Sequence, residues 1–315
     1  MTSAQRAQQR GIAAAVLSAV FLGSAPIFGK QAYAAEMTPI ALAAWRTLLA
    51  AVGLWAIYAL IGRRYIYIYP AGLIGCAAIG IINGLGSLLY YTGLQRVGAG
   101  VGQMVYSLYP FFLVIFLRLD GHRFSSLTLL RIILAIVAVT LLVQTGSDPV
   151  DLIGFGLMLG AGIAYALHLA VGQRVSYEMP VQTLTLYSLT SMALVVCLAS
   201  LFTGWTAVPA AAWNPTLGLA LVTVCSRLGM FLGVKRLGSM QTALIGITEI
   251  LVTLLLALTL LNETLSTRQW MGALLLIGSL LLIGREPMLG LGLKRKVAPG
   301  EAATSRSTSV AAGSK

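Results

Sequence analysis

Three ionisable residues stand where an apolar side chain is expected. Arg46, Arg227 and Glu249 each lie well inside a long apolar run. In a bilayer-crossing helix a central charge costs roughly 2.5–3.5 kcal/mol. Three together approach ~10 kcal/mol, comparable with the net stability of a whole domain, so mutual pairing, a wet cavity, or both must offset them. A guanidinium is a forked donor suited to carboxylate or phosphate. Arg46 and Arg227 are therefore candidates for holding an anionic group of a substrate, with hydrogen bonding to backbone carbonyls at a helix end as the alternative for Arg46. Glu249 has three readings. Unpaired at depth, it can carry a proton or touch substrate; with an arginine within about 4–6 Å it becomes a structural ion pair; at a lipid edge or facing the cytosol it is incidental. Arg131, nearer the end of its run, reads as a snorkelling interfacial residue.

Uncharged polar groups extend the set. Asn83, Ser87 and Tyr90 share one face at helical spacing, and Gln103, Tyr106, Tyr109 and Pro110 follow in the next run. Pro110 frees a backbone carbonyl, which at membrane depth is tolerated only where protein or cavity water satisfies it, so it is the candidate hinge. Trp45 precedes Arg46. All these are substrate-binding or coupling candidates, each with interhelical packing as the competing role. His168 is expected to be a core histidine. No Walker loop, His/Cys metal spacing or G-x-S-x-G elbow occurs. No catalytic residue, metal site or cofactor is therefore assigned, and the chain is not read as an enzyme.

The elements that must position these groups follow from composition. Of 315 residues, 58% are hydrophobic and 10% charged, and the mean hydropathy is +0.89, whereas a soluble domain carries about 25% charged residues. The apolar residues come in runs of about 20, the length that crosses a ~30 Å hydrocarbon core. Ten runs are legible: 11–34, 39–61, 71–94, 98–118, 126–144, 152–173, 181–203, 215–234, 240–261 and 267–284. Cys76, Cys197 and Cys225 all lie inside apolar runs, so no disulfide framework is implied. The net charge of +12 sits at run ends and in the tail after Arg285, which excludes a nucleic-acid stripe. With the N-terminus inside, fifteen Lys and Arg fall on inside segments and three outside, which predicts both termini in the cytoplasm. Ala32-Tyr-Ala34 after an apolar stretch imitates a signal-peptide cleavage site, but the stretch exceeds a typical h-region and cleavage is not expected. Gly80/Gly84, Gly156/Gly160 and Gly229/Gly233 are spaced for close helix packing.

The chain also repeats itself. Tyr91-Thr-Gly-Leu-Gln-Arg-Val-Gly98 matches Phe231-Leu-Gly-Val-Lys-Arg-Leu-Gly238, and Glu36-Met37 matches Glu178-Met179, at an offset of 140 and 142 residues. Five spans is an odd number, so the second copy enters the membrane from the opposite side, the inverted repeat found in secondary transporters. In this register Arg46 falls opposite Ser188, Arg227 opposite Ser87 and Glu249 opposite Tyr109. The charges occur once, which points to an asymmetric cavity.

Trp45-Arg46, the Gly93–Gly98 motif, Tyr109-Pro110 and Asn262-Glu263-Thr-Leu-Ser266 resemble the drug/metabolite transporter superfamily, EamA branch. The resemblance covers about residues 10–285. It implies an all-α integral-membrane fold of ten transmembrane helices in two inverted five-helix repeats, and transport of amino acids or other small metabolites, often outward. One departure is that Ile250, preceded by Glu249, stands opposite Pro110, so the ninth span is expected to lack the bend of the fourth.

The organisation expected is a cytoplasmic N-terminus at 1–10, repeats at 11–144 and 152–284, and a disordered basic cytoplasmic tail at 285–315. The function expected is a secondary exporter of amino acids or organic anions that rocks its two halves, with protons as a candidate coupling ion. Its setting would be the inner (plasma) membrane, and its partners a small-molecule substrate and the lipid bilayer, as monomer or homodimer. An integral-membrane enzyme acting on lipid-linked substrates, or a non-transporting sensor or assembly subunit, are the alternatives.

Overall fold

The computed structural model describes residues 3–119 and 151–283, with 134, 137, 138 and 141 between them. Proline and polar caps start the helices where the sequence punctuates. α1 spans Ser3–Ala34. α2 (Pro39–Leu60) begins with Pro39 in its first turn, and the Thr38 hydroxyl accepts from Ala41 N at 3.4 Å. A 3₁₀ turn at Arg63–Tyr65 precedes α3 (Pro70–Arg96). α4 (Ala99–Tyr106) and α5 (Tyr109–Leu119) are followed by α6 (Leu152–Glu178), whose first turn is capped by Asp151 accepting from Ile153 N and Gly154 N. α7 (Val181–Thr203), α8 (Trp213–Leu237), α9 (Ser239–Gly246), α10 (Thr248–Leu260) and α11 (Thr267–Ile283) complete the described chain.

All of the regular structure described is helical, and eight stretches are long and apolar enough to cross a membrane. α4 with α5 counts as one of these stretches, and α9 with α10 as another. α11 occupies the tenth predicted run. The fifth, 126–144, lies mostly outside the described residues, as do His122, Arg131 and the tail from 284. Large apolar side chains point outward along the helices, Phe202 at 89% and Leu60 at 83% exposure among them, which suits a lipid surround rather than water.

The two repeats interlock. α1 packs most extensively on α8, and its repeat mate α6 packs on α3, the mate of α8; α2 and α7 meet across the pseudo-twofold axis. Each repeat's first helix thus lies against the other repeat's third. Small residues permit the approach: a Cβ at Gly80 would lie 2.5 Å from the Ser188 carbonyl oxygen, and one at Gly229 would lie 2.7 Å from that of Ala14. The third pair differs from expectation, because a Cβ at Gly156 would meet nothing within 4 Å.

The chain alternates between two faces. At one, Arg236 donates to Ala7 O, Lys235 to Met179 O and Tyr69 to Glu178. At the other, Arg96 pairs with Asp151 at 2.8 Å, and Glu263 takes the backbone N–H groups of Ala99 and Gly100 at 2.6 and 3.0 Å. Glu263, from the second repeat, thus caps the start of α4 in the first.

The fourth and ninth spans are both broken. α4 ends at Tyr106 and α5 starts at Tyr109, just before Pro110. The ninth span also breaks, at Ile247 between α9 and α10, although it has no proline. A side chain from the other repeat replaces the missing helical bond there: the Tyr109 hydroxyl donates to Ala243 O at 3.3 Å. Thr248 closes the next turn through Ile245 O at 2.8 Å. The expectation of an unbent ninth span is therefore corrected.

Candidate functional site

The broken spans and α2, α3, α6 and α8 enclose a cavity of about 50 Å³ in the middle of the bundle. Arg46 reaches it from two turns into α2. Its Nη1 donates to Thr223 Oγ1 of α8 at 2.8 Å and its Nη2 to Ser87 Oγ of α3 at 2.6 Å. The Tyr91 ring lies beneath the guanidinium at 4.6 Å. Arg227, on α8, donates through Nη2 to Asn83 Oδ1 at 2.9 Å and through Nη1 to His168 Nε2 at 3.0 Å. This makes His168 an acceptor, with its proton on Nδ1 facing the Ile79 carbonyl at 3.4 Å. The imidazole lies nearly parallel to the Tyr165 ring, 13° apart with centroids at 5.8 Å. Asn83 is fixed in turn by donating to Met192 Sδ at 2.9 Å.

Glu249 opens α10, on the turn just after the break, and is 1% exposed. Gly23 lets α1 close on that turn, since a Cβ there would lie 2.7 Å from the Glu249 carbonyl oxygen. Thr253 binds the same turn of α1 through Gly23 O at 2.6 Å. The carboxylate accepts a hydrogen bond from Gln103 Nε2 of α4, whose Oε1 accepts from Tyr90 OH at 3.1 Å. Gln103, on the broken span of the first repeat, therefore joins Tyr90 of the same repeat to Glu249 on the broken span of the second.

Among the described residues no cation lies within 4.0 Å of Glu249, and no carboxylate lies within that distance of Arg46 or Arg227. Within contact distance Glu249 is held by the neutral amide of Gln103 rather than by a cation. Both Nε groups of the arginines are buried with no protein acceptor. Two guanidiniums against one carboxyl group leave the cavity with an excess of positive charge.

Most sequence candidates converge here. Arg46, Arg227, Glu249, Asn83, Ser87, Tyr90 and Tyr106 line the cavity, with Gln103 behind them. Tyr109 instead lines a smaller neighbouring cavity of about 10 Å³ that also touches Glu249. Pro110 is buried beside the break. Trp45 points elsewhere: it packs on Trp205 and Trp213 at the Glu263 face, with its indole N–H on Thr206 O at 2.9 Å. Adjacent helical residues face about 100° apart, so Trp45 cannot share the direction of Arg46.

Tyr165, Thr223 and Ser226 also line the cavity and were not anticipated. The repeat register contained the signal for two of them. Thr223 and Ser226 stand 140 residues after Asn83 and Gly86, on the eighth-span copy of the polar face already noticed on the third.

Comparison with known proteins gives the same architecture. The EamA-like transporter family matches residues 9–144 and 152–285, one copy per repeat. The threonine/homoserine exporter RhtA of Salmonella typhimurium (strains SL1344 and LT2) is 27% identical over 215 residues, covering 64% of this chain and 69% of its own. The uncharacterized transporter YcbK of Bacillus subtilis is 24% identical over 275 residues, 82% of this chain and 87% of its own. A solved crystal structure superimposes with a TM-score of 0.63 at 18% identity, covering 89% of this chain and 99% of that one; it speaks to the fold. The chain is a multi-pass membrane protein and belongs to the EamA-like transporter family.

Proposed function

We propose that this protein is a secondary transporter that exports small carboxylate-bearing metabolites, amino acids or organic anions, by alternating access. One observation carries the proposal: two buried guanidiniums with spare donors and a buried carboxyl group face a single cavity between two interlocked repeats. Arg46 and Arg227 bind the carboxylate of the solute. Glu249, held by an amide rather than a cation, exchanges a proton with solute movement. The similarity to the threonine/homoserine exporter supports outward transport, and the charge bias supports both termini in the cytoplasm.

The packing favours a movement different from the rocking of two sequence halves. α3, α4, α5 and α6 hold together as one mixed bundle, and α8, α9, α10 and α1 as its repeat-related partner. Displacement of one bundle against the other would open the cavity to alternate faces, with the breaks at 107–108 and at 247 absorbing the bend, and Pro110 keeping the first break open.

The test is efflux from cells overproducing the protein, with threonine and homoserine first and a panel of organic acids beside them. Accumulation in the medium above vector controls is the expected result. Purified protein in liposomes that moves no solute down any gradient would refute the proposal. The cavity lies at the centre of the bundle with its charges at depth, whereas an enzyme acting on lipid-linked substrates needs its polar cluster at one interface; this favours transport over that alternative.

A further inference from the structure

Arg46 and Arg227 are 6% and 8% exposed. Their protein acceptors are two hydroxyls, an imidazole, an amide oxygen and a distant thioether. Every one of these is neutral. Such acceptors orient a guanidinium without cancelling its charge, and a buried charge left uncompensated is costly. The helix register also fixes how the two arginines stand. Their α3 partners Ser87 and Asn83 are four residues apart, and Thr223 and Arg227 are four apart on α8. The two guanidiniums are therefore held about one helical turn apart, roughly 6 Å along the helices. Both direct buried N–H groups that no protein atom accepts.

Among the described residues no carboxylate is in contact with either guanidinium. Glu249 is the carboxyl group of the cavity wall, and it is engaged by Gln103 with no cation within 4.0 Å. The other titratable groups facing the cavity are phenols, Tyr90, Tyr91, Tyr106 and Tyr165. At about 50 Å³ the cavity has room for roughly three or four water-sized groups. That suits a monatomic anion with water, or the carboxylate end of a solute.

We propose that Arg46 and Arg227 form a resident site for a small inorganic anion, chloride or its equivalent. The carboxylate of the transported solute displaces this ion, and the ion returns when the solute leaves. The cavity would then cross the membrane always carrying an anion, so the two arginines are never buried bare. The displacement step rests on the transporter reading; the anion site does not.

The experiment uses the full-length protein in detergent, with sodium chloride titrated against sodium isethionate, whose weakly basic sulfonate is a poor hydrogen-bond acceptor, at constant ionic strength. A saturable rise in Tm of about 3 °C is expected with chloride, and the rise should vanish in Arg227→Gln. A Tm indifferent to the exchange, or one that moves equally in Arg227→Gln, overturns the site. Because that variant can fold poorly, a second measurement uses the wild type alone. Anomalous scattering from bromide-soaked crystals should place an ion between the two guanidiniums, and bromide bound only elsewhere overturns the proposal. Halide indifference together with solute movement in liposomes would sink the anion site and leave the transporter reading intact. Halide binding without any solute movement would do the reverse.

Discussion

The two repeats share a scaffold and differ in their chemistry. Position 46 of the first holds an arginine that crosses to α3 and α8; its mate Ser188 turns back on its own helix, donating to Thr185 O at 3.2 Å. Position 227 of the second holds an arginine, and its mate Ser87 serves as an acceptor for Arg46. Glu249 stands opposite Tyr109, and both lie at the broken spans, where Tyr109 closes the break beside Glu249. Symmetric positions thus build the frame, in which α1 against α8 mirrors α6 against α3. The unpaired members of each position make the cavity. A charge that the fold required would be expected in both copies.

The comparison breaks most readily at the arginines. Arg46→Gln should lower solute export by about 100-fold, since a buried charge-assisted contact is lost at the binding step, whereas Ser188→Ala should stay within about twofold. Initial efflux rates normalised to membrane-inserted protein decide this, and equal losses in the two variants would show that position 46 is scaffold after all. At the broken spans, Glu249→Gln keeps the shape of the side chain and removes the exchangeable proton. Transport driven by a pH gradient should fall about tenfold while solute counterflow stays within about twofold. A parallel loss of both would make Glu249 a binding or structural group. The frame itself is probed by glycine. Gly80→Val forces a side chain onto the Ser188 carbonyl and should destabilise the protein by about 1–3 kcal/mol. Gly156→Ala meets open space and should be neutral or slightly stabilising. Thermal unfolding of purified protein reads both.

Much of this was legible before the fold was seen, for particular physical reasons. Arg46, Arg227 and Glu249 announce themselves because a charge in a 20-residue apolar run has few permitted destinations. Asn83, Ser87 and Tyr90 follow from helical spacing alone. What one sequence could not supply was rotation and depth. Trp45 and Arg46 are neighbours in the chain yet face different surroundings, one the aromatic cluster with Trp205 and the other the cavity. The break at Ile247 was missed because the expectation leaned on proline. There the helix is interrupted through a hydrogen bond from Tyr109, a residue 134 positions away in sequence. Gln103 was identified as polar, but its bond to Glu249 depends on α4 meeting α10, a contact no local pattern encodes.

The smallest effect is expected where the repeats begin. α6 is preceded by Asp151, which caps its first turn and pairs with Arg96. The hydrogen bond from Arg96, helped by the backbone N–H groups of Gly154 and Ile153, holds the Asp151 carboxyl below its ordinary range. A carboxyl depressed in the folded state contributes stability that is present above its unfolded value and is lost as the pH falls through the folded one. Asp151→Asn retains an acceptor for the cap and removes the ion pair. The variant should fall behind the wild type by about 1 °C or less in Tm near neutrality, because the pair is open to solvent and screened. The two should converge only as the pH falls below the ordinary aspartate value of 3.8 and through the lower folded one. No gap near neutrality, with the wild type falling below the variant on acidification, would mean that the cap, which asparagine retains, and not the ion pair carries the contribution of Asp151. The start of the second repeat would then be fixed by its side-chain cap.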